Sequence, residues 1–302
     1  MKPPAPATSA VPPPSVCCLS LLVSVAMEER TIGPNRIGGE QAPAWERVDV
    51  LGVEIACVDQ ARTLEAIGNW LDGGQRSYLC LTGVHGVMEA QADEAVDRAL
   101  QGAGMDLPDG MPMVWAGKRA GSAEIERVYG PDLMLAVCER AARRGWPVFF
   151  YGGQPDVADL LADRMTERFG GLEVAGTHSP PMREAGERED RDVLELISSS
   201  GARVVFIGIS TPKQELWMAN HLPELGGSVV LIGVGAAFDI HAGLRSDAPG
   251  WIGRLGLHWL YRLIQEPRRL WRRYLSIIPR FVFAIFRQPP RLIGRASEDQ
   301  VR

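Results

Sequence analysis

Five cysteines in 302 residues are too few and too scattered for a disulfide framework, and neither they nor the histidines show metal-ligand spacing. Cys80 and Cys138 sit in apolar segments and read as buried thiols, which fits a reducing cytoplasm. The apolar run Val16 to Met27 is too short to cross a bilayer. Only Lys2 precedes it and no cleavage site follows, so a secretion signal is disfavoured. There is no nucleophile elbow and no phosphate-binding lysine loop. A three-glycine dinucleotide fingerprint is also missing, which weighs against a nicotinamide-dependent oxidoreductase. No solenoid repeat is visible.

What is present is ordinary globular composition, 46% hydrophobic and 23% charged. Residues 1–46, rich in proline, alanine and serine at their start, read as a disordered extension and linker; Met27 is an alternative true start. From Val48 onward, apolar strand candidates alternate with amphipathic helices. The strands are expected at Val48–Val58, Ser77–Thr82, Pro147–Tyr151, Leu172–Gly176, Arg203–Ile209 and Ser228–Val234. Helices are expected at Ala61–Leu71, Gly86–Leu100, Pro131–Arg144, Pro155–Phe169, Glu184–Ser199 and Pro212–His221. Repeated strand–helix order with short connections predicts an α/β domain over 47–248, with a Rossmann-like, open, mostly parallel sheet.

Ligands of such sheets bind at the carboxyl ends of strands, and four loops there carry candidate chemistry. After Ser77–Leu81 comes Thr82-Gly83-Val84-His85-Gly86, where Thr82 can donate to a phosphate or sugar oxygen; His85 at a helix start reads first as structural. Leu107-Pro108-Asp109-Gly110-Met111-Pro112 is a good turn in its own right, and Asp109 on that rigid turn is a general-base candidate. Gly152 and Gly153 lie between a strand and a helix, where backbone N–H groups favour a diphosphate. Gly208-Ile209-Ser210-Thr211-Pro212-Lys213-Gln214-Glu215 brings an amide, a cation and a carboxylate to a strand exit. Asp190-Arg191-Asp192 has the spacing of a sugar-nucleotide metal site but falls inside a charged helical run, so it reads as a solvated face and no metal is expected.

The chain's formal charge of −5 hides an asymmetry: Trp251 to Arg295 holds ten arginines, no lysine and one glutamate, Glu266. Eight of the chain's twenty-one aromatics fall between Gly250 and Phe286. Arg262, Arg269 and Arg273 recur on one helical face, with Arg268 and Arg272 in a neighbouring row. Residues 249–290 are therefore expected to be an Arg- and aromatic-rich helical appendage, with 291–302 a disordered tail. Tryptophan and tyrosine favour the membrane interface and arginine pairs with phosphate. Docking on the protein's own acidic body is the alternative, and both hold if apolar residues face inward and arginines outward. Nucleic acid is not an expected partner, because no recognition motif accompanies the arginines.

Together these segments resemble the WecG/TagA/CpsF family of bacterial glycosyltransferases from about Val48 to Phe286. The resemblance rests on Pro108–Pro112, Glu126–Leu133, Gly208–Trp217, Gly233–Asp239, and Gly256–Leu263 with Gln265–Arg269. It implies inverting, metal-independent transfer of an N-acetylmannosamine-type sugar from a UDP donor to a polyprenyl-diphosphate-linked saccharide, with no cofactor. The enzyme would sit peripherally on the inner face of the plasma membrane and serve cell-envelope polymers. It implies Asp109 as the base, with Thr82 beside it. Donor contacts would come from Gly152, Gly153, Gly208, Pro212, Lys213, Gln214, Glu215, Gly233, Gly235 and Asp239. Lipid-diphosphate contacts would come from Arg262, Arg268, Arg269, Arg272 and Arg273. Three positions depart from the family's pattern: Val84 stands where many members have asparagine, Asp247 where arginine is usual, and His258 where glutamate is usual. A nicotinamide-dependent oxidoreductase and a non-catalytic membrane-binding protein are the rivals from other classes; transfer from another UDP-hexose by the same mechanism is the alternative within this one, and a homo-oligomeric state is left open.

Overall fold

A computed structural model describes residues 45–180 and 187–293. The readings of residues 1–44, of the start of the helix near Glu184, and of the tail from 294 lie outside the described residues.

The described residues open with a hairpin, β1 (Arg47–Val50) and β2 (Val53–Ala56). The single strand expected at Val48–Val58 is interrupted. Leu51 at φ +56° and Gly52 at φ +88° reverse the chain instead, and Asp49 Oδ1 accepts the Gly52 amide at 2.6 Å to close the turn. Then follow α1 (Gln60–Asp72), β3 (Ser77–Thr82), α2 (Val84–Ala90), α3 (Glu94–Gln101), β4 (Met105–Pro108), α4 (Met111–Arg119), α5 (Gly130–Arg144), β5 (Val148–Gly152), α6 (Val157–Arg168) and β6 (Val174–His178). The second half continues with α7 (Glu187–Ser200), β7 (Val204–Gly208), α8 (Lys213–His221), β8 (Val230–Gly233) and α9 (Ala237–His241). The helix expected at Gly86–Leu100 is two, because Asp93 turns out of helical geometry and its side chain caps α3 through the Ala95 amide at 2.8 Å.

Among the described residues nine strands are ordered β6-β5-β7-β8-β3-β4-β2-β1-β9. The pairings from β6 across to β2 are parallel, and the two antiparallel pairings are those of β1 with β2 and with β9. Side chains alternate between the two faces. Val205 and Ile207 of β7 join a core under α2, α3, α7 and α8. Val204 and Phe206 join a second core under α1, α5, α6 and α9. Both cores are filled from one strand, which is why the central strands read as continuous apolar runs.

Beyond β8 the chain forms α10 (Gly250–Arg254), α11 (His258–Gln265) and α12 (Pro267–Arg287). Helix α12 buries Leu270, packs Phe281 into the core under α2, α3, α7 and α8, and leaves Trp271, Leu275, Phe283 and Phe286 exposed. Three residues of the expected tail then form β9 (Arg291–Ile293), which pairs with β1 at the sheet edge. The appendage is thus tied to the body at its far end as well. No helix among the described residues is long and apolar enough to cross a membrane.

Candidate active site

A cavity of about 710 Å³ opens at the carboxyl ends of β3, β4, β7 and β8, and the inner faces of α10, α11 and α12 close its far side. It lies where the connection leaving β3 and the one leaving β8 diverge, the expected position for a ligand in an open α/β sheet.

Asp109 stands at its floor. The Asp109 amide donates to the carbonyls of Thr82 at 3.1 Å and Leu107 at 2.9 Å, so the turn is locked to the end of the neighbouring strand. Gly110 at φ +90° then swings the chain into α4, a conformation that favours glycine. Desolvation raises the Asp109 carboxyl to about 6, against the opposing pull of the Arg127 and Arg262 guanidinium groups. A carboxylate held near that value ionises at neutral pH yet keeps useful basicity.

Of the residues singled out from sequence, Asp109, Gly208, Gln214, Gly233, Gly235, Asp239 and Arg262 line the cavity, as do Val84 and His85. Thr82 lies behind them, buried, and its hydroxyl donates to the buried Asp106 carboxylate at 3.2 Å. Gln214 is buried, and its Oε1 has no hydrogen-bond partner among the described residues. An unpaired amide oxygen on a cavity wall is a ready acceptor for a ligand N–H. Glu215 sits behind it, where Oε1 accepts from Thr211 Oγ1 at 2.9 Å and from Gln214 Nε2 at 3.1 Å. Burial raises its carboxyl. Its position fits orienting Gln214. Asp239 pairs with Arg245 at 3.3 Å, and Arg245 also reaches Glu266 at 2.9 Å, tying the cavity wall to the appendage.

Others stand apart from the cavity. Pro212 and Lys213 open α8 outside the lining. Gly152 and Gly153 are not in the lining either. A Cβ on Gly152 would stand 2.6 Å from the Gly208 backbone, and one on Gly153 2.8 Å from Val157. Close packing of β5, β7 and α6 accounts for both glycines. Arg268 and Arg272 point from the exposed face of α12, with Arg272 over the Trp271 ring at 5.3 Å. The side chains of Arg269 and Arg273 lie outside the described residues.

Four residues that sequence reading did not place in the site form a network beside Asp109. Arg127 Nη2 meets His258 Nδ1 at 2.7 Å. The Tyr129 hydroxyl donates to Asp247 Oδ1 at 2.6 Å. The Tyr129 ring stacks on His258, centroids 4.7 Å apart, and carries the Arg127 guanidinium 4.1 Å above it. Arg127 and Tyr129 lie in the motif Glu126–Leu133, but their partners His258 and Asp247 are more than a hundred residues away. Equally invisible was the apolar wall given by Met111, Trp115, Ile277, Ile278 and Phe281.

The sequence matches the Glycosyl transferase WecG/TagA/CpsF family over residues 48–295. It is 30% identical over 218 residues to the N-acetylglucosaminyldiphosphoundecaprenol N-acetyl-β-D-mannosaminyltransferase of Bacillus spizizenii, covering 72% of this chain and 82% of that relative. A match that spans the sheet, the Asp109 turn and the appendage settles membership: the chain belongs to the WecG/TagA/CpsF family of glycosyl transferases.

Proposed function

We propose that this protein transfers an N-acetylmannosamine-type sugar from a UDP donor to a polyprenyl-diphosphate-linked saccharide, with inversion, at the cytoplasmic face of the plasma membrane. The observation that carries the reading is Asp109, a desolvated carboxylate on the cavity floor flanked by two arginines. In this reaction Asp109 takes the proton of an acceptor hydroxyl. The freed oxygen attacks the anomeric carbon from the face opposite UDP, a C–O bond forms, and the bond to the β-phosphate oxygen breaks with its electron pair leaving on UDP. Arg127 and Arg262 stabilise the departing diphosphate, so no metal takes part in this reading. Gln214 Oε1 accepts from an N–H of the donor. The apolar wall from α12 faces the first isoprene units of the acceptor, and the exposed Trp271, Phe283 and Phe286 rest in the lipid interface.

The test is a panel of UDP-sugars offered with a synthetic polyprenyl-diphosphate-GlcNAc, with EDTA present. UDP-ManNAc, or its uronate, is expected to give a lipid-linked disaccharide. Transfer from another UDP-sugar alone would overturn the donor assignment, and no transfer by folded protein on lipid would overturn the reading.

A further inference from the structure

We propose that His258 is a positioning residue: as the neutral tautomer carrying its proton on Nε2, it accepts a hydrogen bond from Arg127 and holds that guanidinium beside Asp109. The proposal starts from the 2.7 Å contact between Arg127 Nη2 and His258 Nδ1. A guanidinium only donates, so Nδ1 must offer a lone pair and the ring proton must sit on Nε2. That Nε2 faces Asp247 Oδ1 at 3.4 Å. The same Asp247 oxygen takes the Tyr129 hydroxyl, and the Tyr129 ring packs flat against the imidazole. Nε2 makes no hydrogen bond among the described residues, so the imidazole is held by the Arg127 contact and by the Tyr129 ring on one face, with the Asp247 carboxylate lying opposite Nε2.

Arg127 needs such a partner. Its backbone segment is pinned, since the Val128 amide donates to the Pro108 carbonyl at 3.1 Å, one residue before Asp109. Its side chain has fewer anchors: Nε is buried with no partner among the described residues. Helix α10 approaches it closely at Gly253, where a Cβ would stand 2.6 Å from Arg127 Nη1. His258 and the Tyr129 ring are what aim it.

The groups facing the imidazole are Asp247, Arg127 and Tyr129 from the body and Arg262 one turn along its own helix. Burial, then the Arg127 charge, push its pKa below the usual histidine value. Protonation would set two donors and two positive charges nose to nose and release Arg127. Because His258 opens α11, the appendage contributes to the site through this contact. The catalytic consequence rests on the transferase reading, whereas the tautomer does not.

The test has two arms. Histidine ¹⁵N NMR of the full chain at pH 7.5, with His258 identified by loss of its signal in His258→Asn, is expected to show a neutral ring protonated at Nε2. A ring protonated at Nδ1, or a cationic one, would overturn the proposal regardless of any activity. In transfer assays His258→Leu, which keeps bulk but offers no acceptor, is expected to lose at least about tenfold in kcat, the scale of one hydrogen bond to a charged group, with the donor KM unchanged. His258→Asn, whose Oδ1 can take the place of Nδ1, is expected to stay within about threefold of wild type. Adding Arg127→Gln to His258→Leu should cost little more than Arg127→Gln alone, because the two act as one unit. A fully active His258→Leu, an Asn variant as poor as Leu, or losses that multiply would each overturn it. A wild-type protein with no turnover would count against the transferase reading and leave the tautomer to decide this one.

Discussion

The Asp109 amide donates to the Thr82 carbonyl at 3.1 Å, so the proposed base is held by the neighbouring strand and not by its own turn alone. Gly83, the next residue, fits against that turn only because it lacks a side chain: a Cβ there would stand 2.8 Å from the Asp109 carbonyl oxygen. Gly83→Ala must therefore push the Asp109 turn. We expect a stability loss of about 1–3 kcal/mol from overpacking. A fall in kcat on the order of a hundredfold should accompany it, because a displacement of about 1 Å at the reacting groups has that scale. Thermal melting and transfer kinetics of the one variant check both, and an unchanged kcat would show that the turn tolerates the shift.

Desolvation of Asp109 has a signature in stability as well. Its folded carboxyl lies near 6, above the value of an unfolded aspartate. The sign follows: the folded state binds this proton more tightly, so the group favours folding at low pH and that contribution is lost as pH rises through about 6. Asp109→Asn should thus melt higher than wild type at pH 7.5, by an amount worth about 2–3 kcal/mol at most, and show no such advantage below about pH 4. The acid limb of kcat/KM in wild type should fall near the same value of about 6. Differential scanning calorimetry across pH is the check.

Gly152 separates a packing role from a ligand role. With φ +138° and a Cβ position 2.6 Å from Gly208 backbone atoms, it has no room for a side chain. Gly152→Ala is expected to destabilise the fold by about 2 kcal/mol or more, through clash and backbone strain. A variant with wild-type melting but a raised donor KM would restore the diphosphate-cradle role that its sequence context suggests.

The outward face of α12 is expected to bind anionic membranes. Phe286 is 80% exposed and Trp271 46%, so neither contributes much to the folded core. Trp271→Ser with Phe286→Ser should leave melting unchanged while weakening binding to phosphatidylglycerol vesicles by about tenfold or more, on the area each ring would bury. Raised salt should weaken wild-type binding further by screening the arginines. Flotation assays read both effects, and equal binding by the double variant would remove this face from the membrane contact.

Much of this architecture was legible in the sequence, and the limits have physical causes. Central strands such as Val204–Gly208 announced themselves because both faces are buried. Strand β4 did not, being four residues long with the charged Asp106 inside it, a residue tolerated there because Thr82 donates to it. The Asp109 turn is legible because its composition follows from local chemistry, whereas the role of base comes from the family resemblance. Arg127, Tyr129, Asp247 and His258 were not assembled into a site, because their contacts join segments that only the fold brings together. The glycine pair at 152–153 was read as an anion loop because sequence shows a glycine's freedom but not the neighbour that demands it.

The most direct test of the central claim compares wild type with Asp109→Asn in transfer from UDP-ManNAc to polyprenyl-diphosphate-GlcNAc, with donor binding measured alongside. The account predicts unchanged donor affinity, an intact fold and a kcat reduced by a factor on the order of 10² to 10⁴, the range of general-base catalysis. Near-normal turnover by Asp109→Asn would contradict it and require another group to take the acceptor's proton.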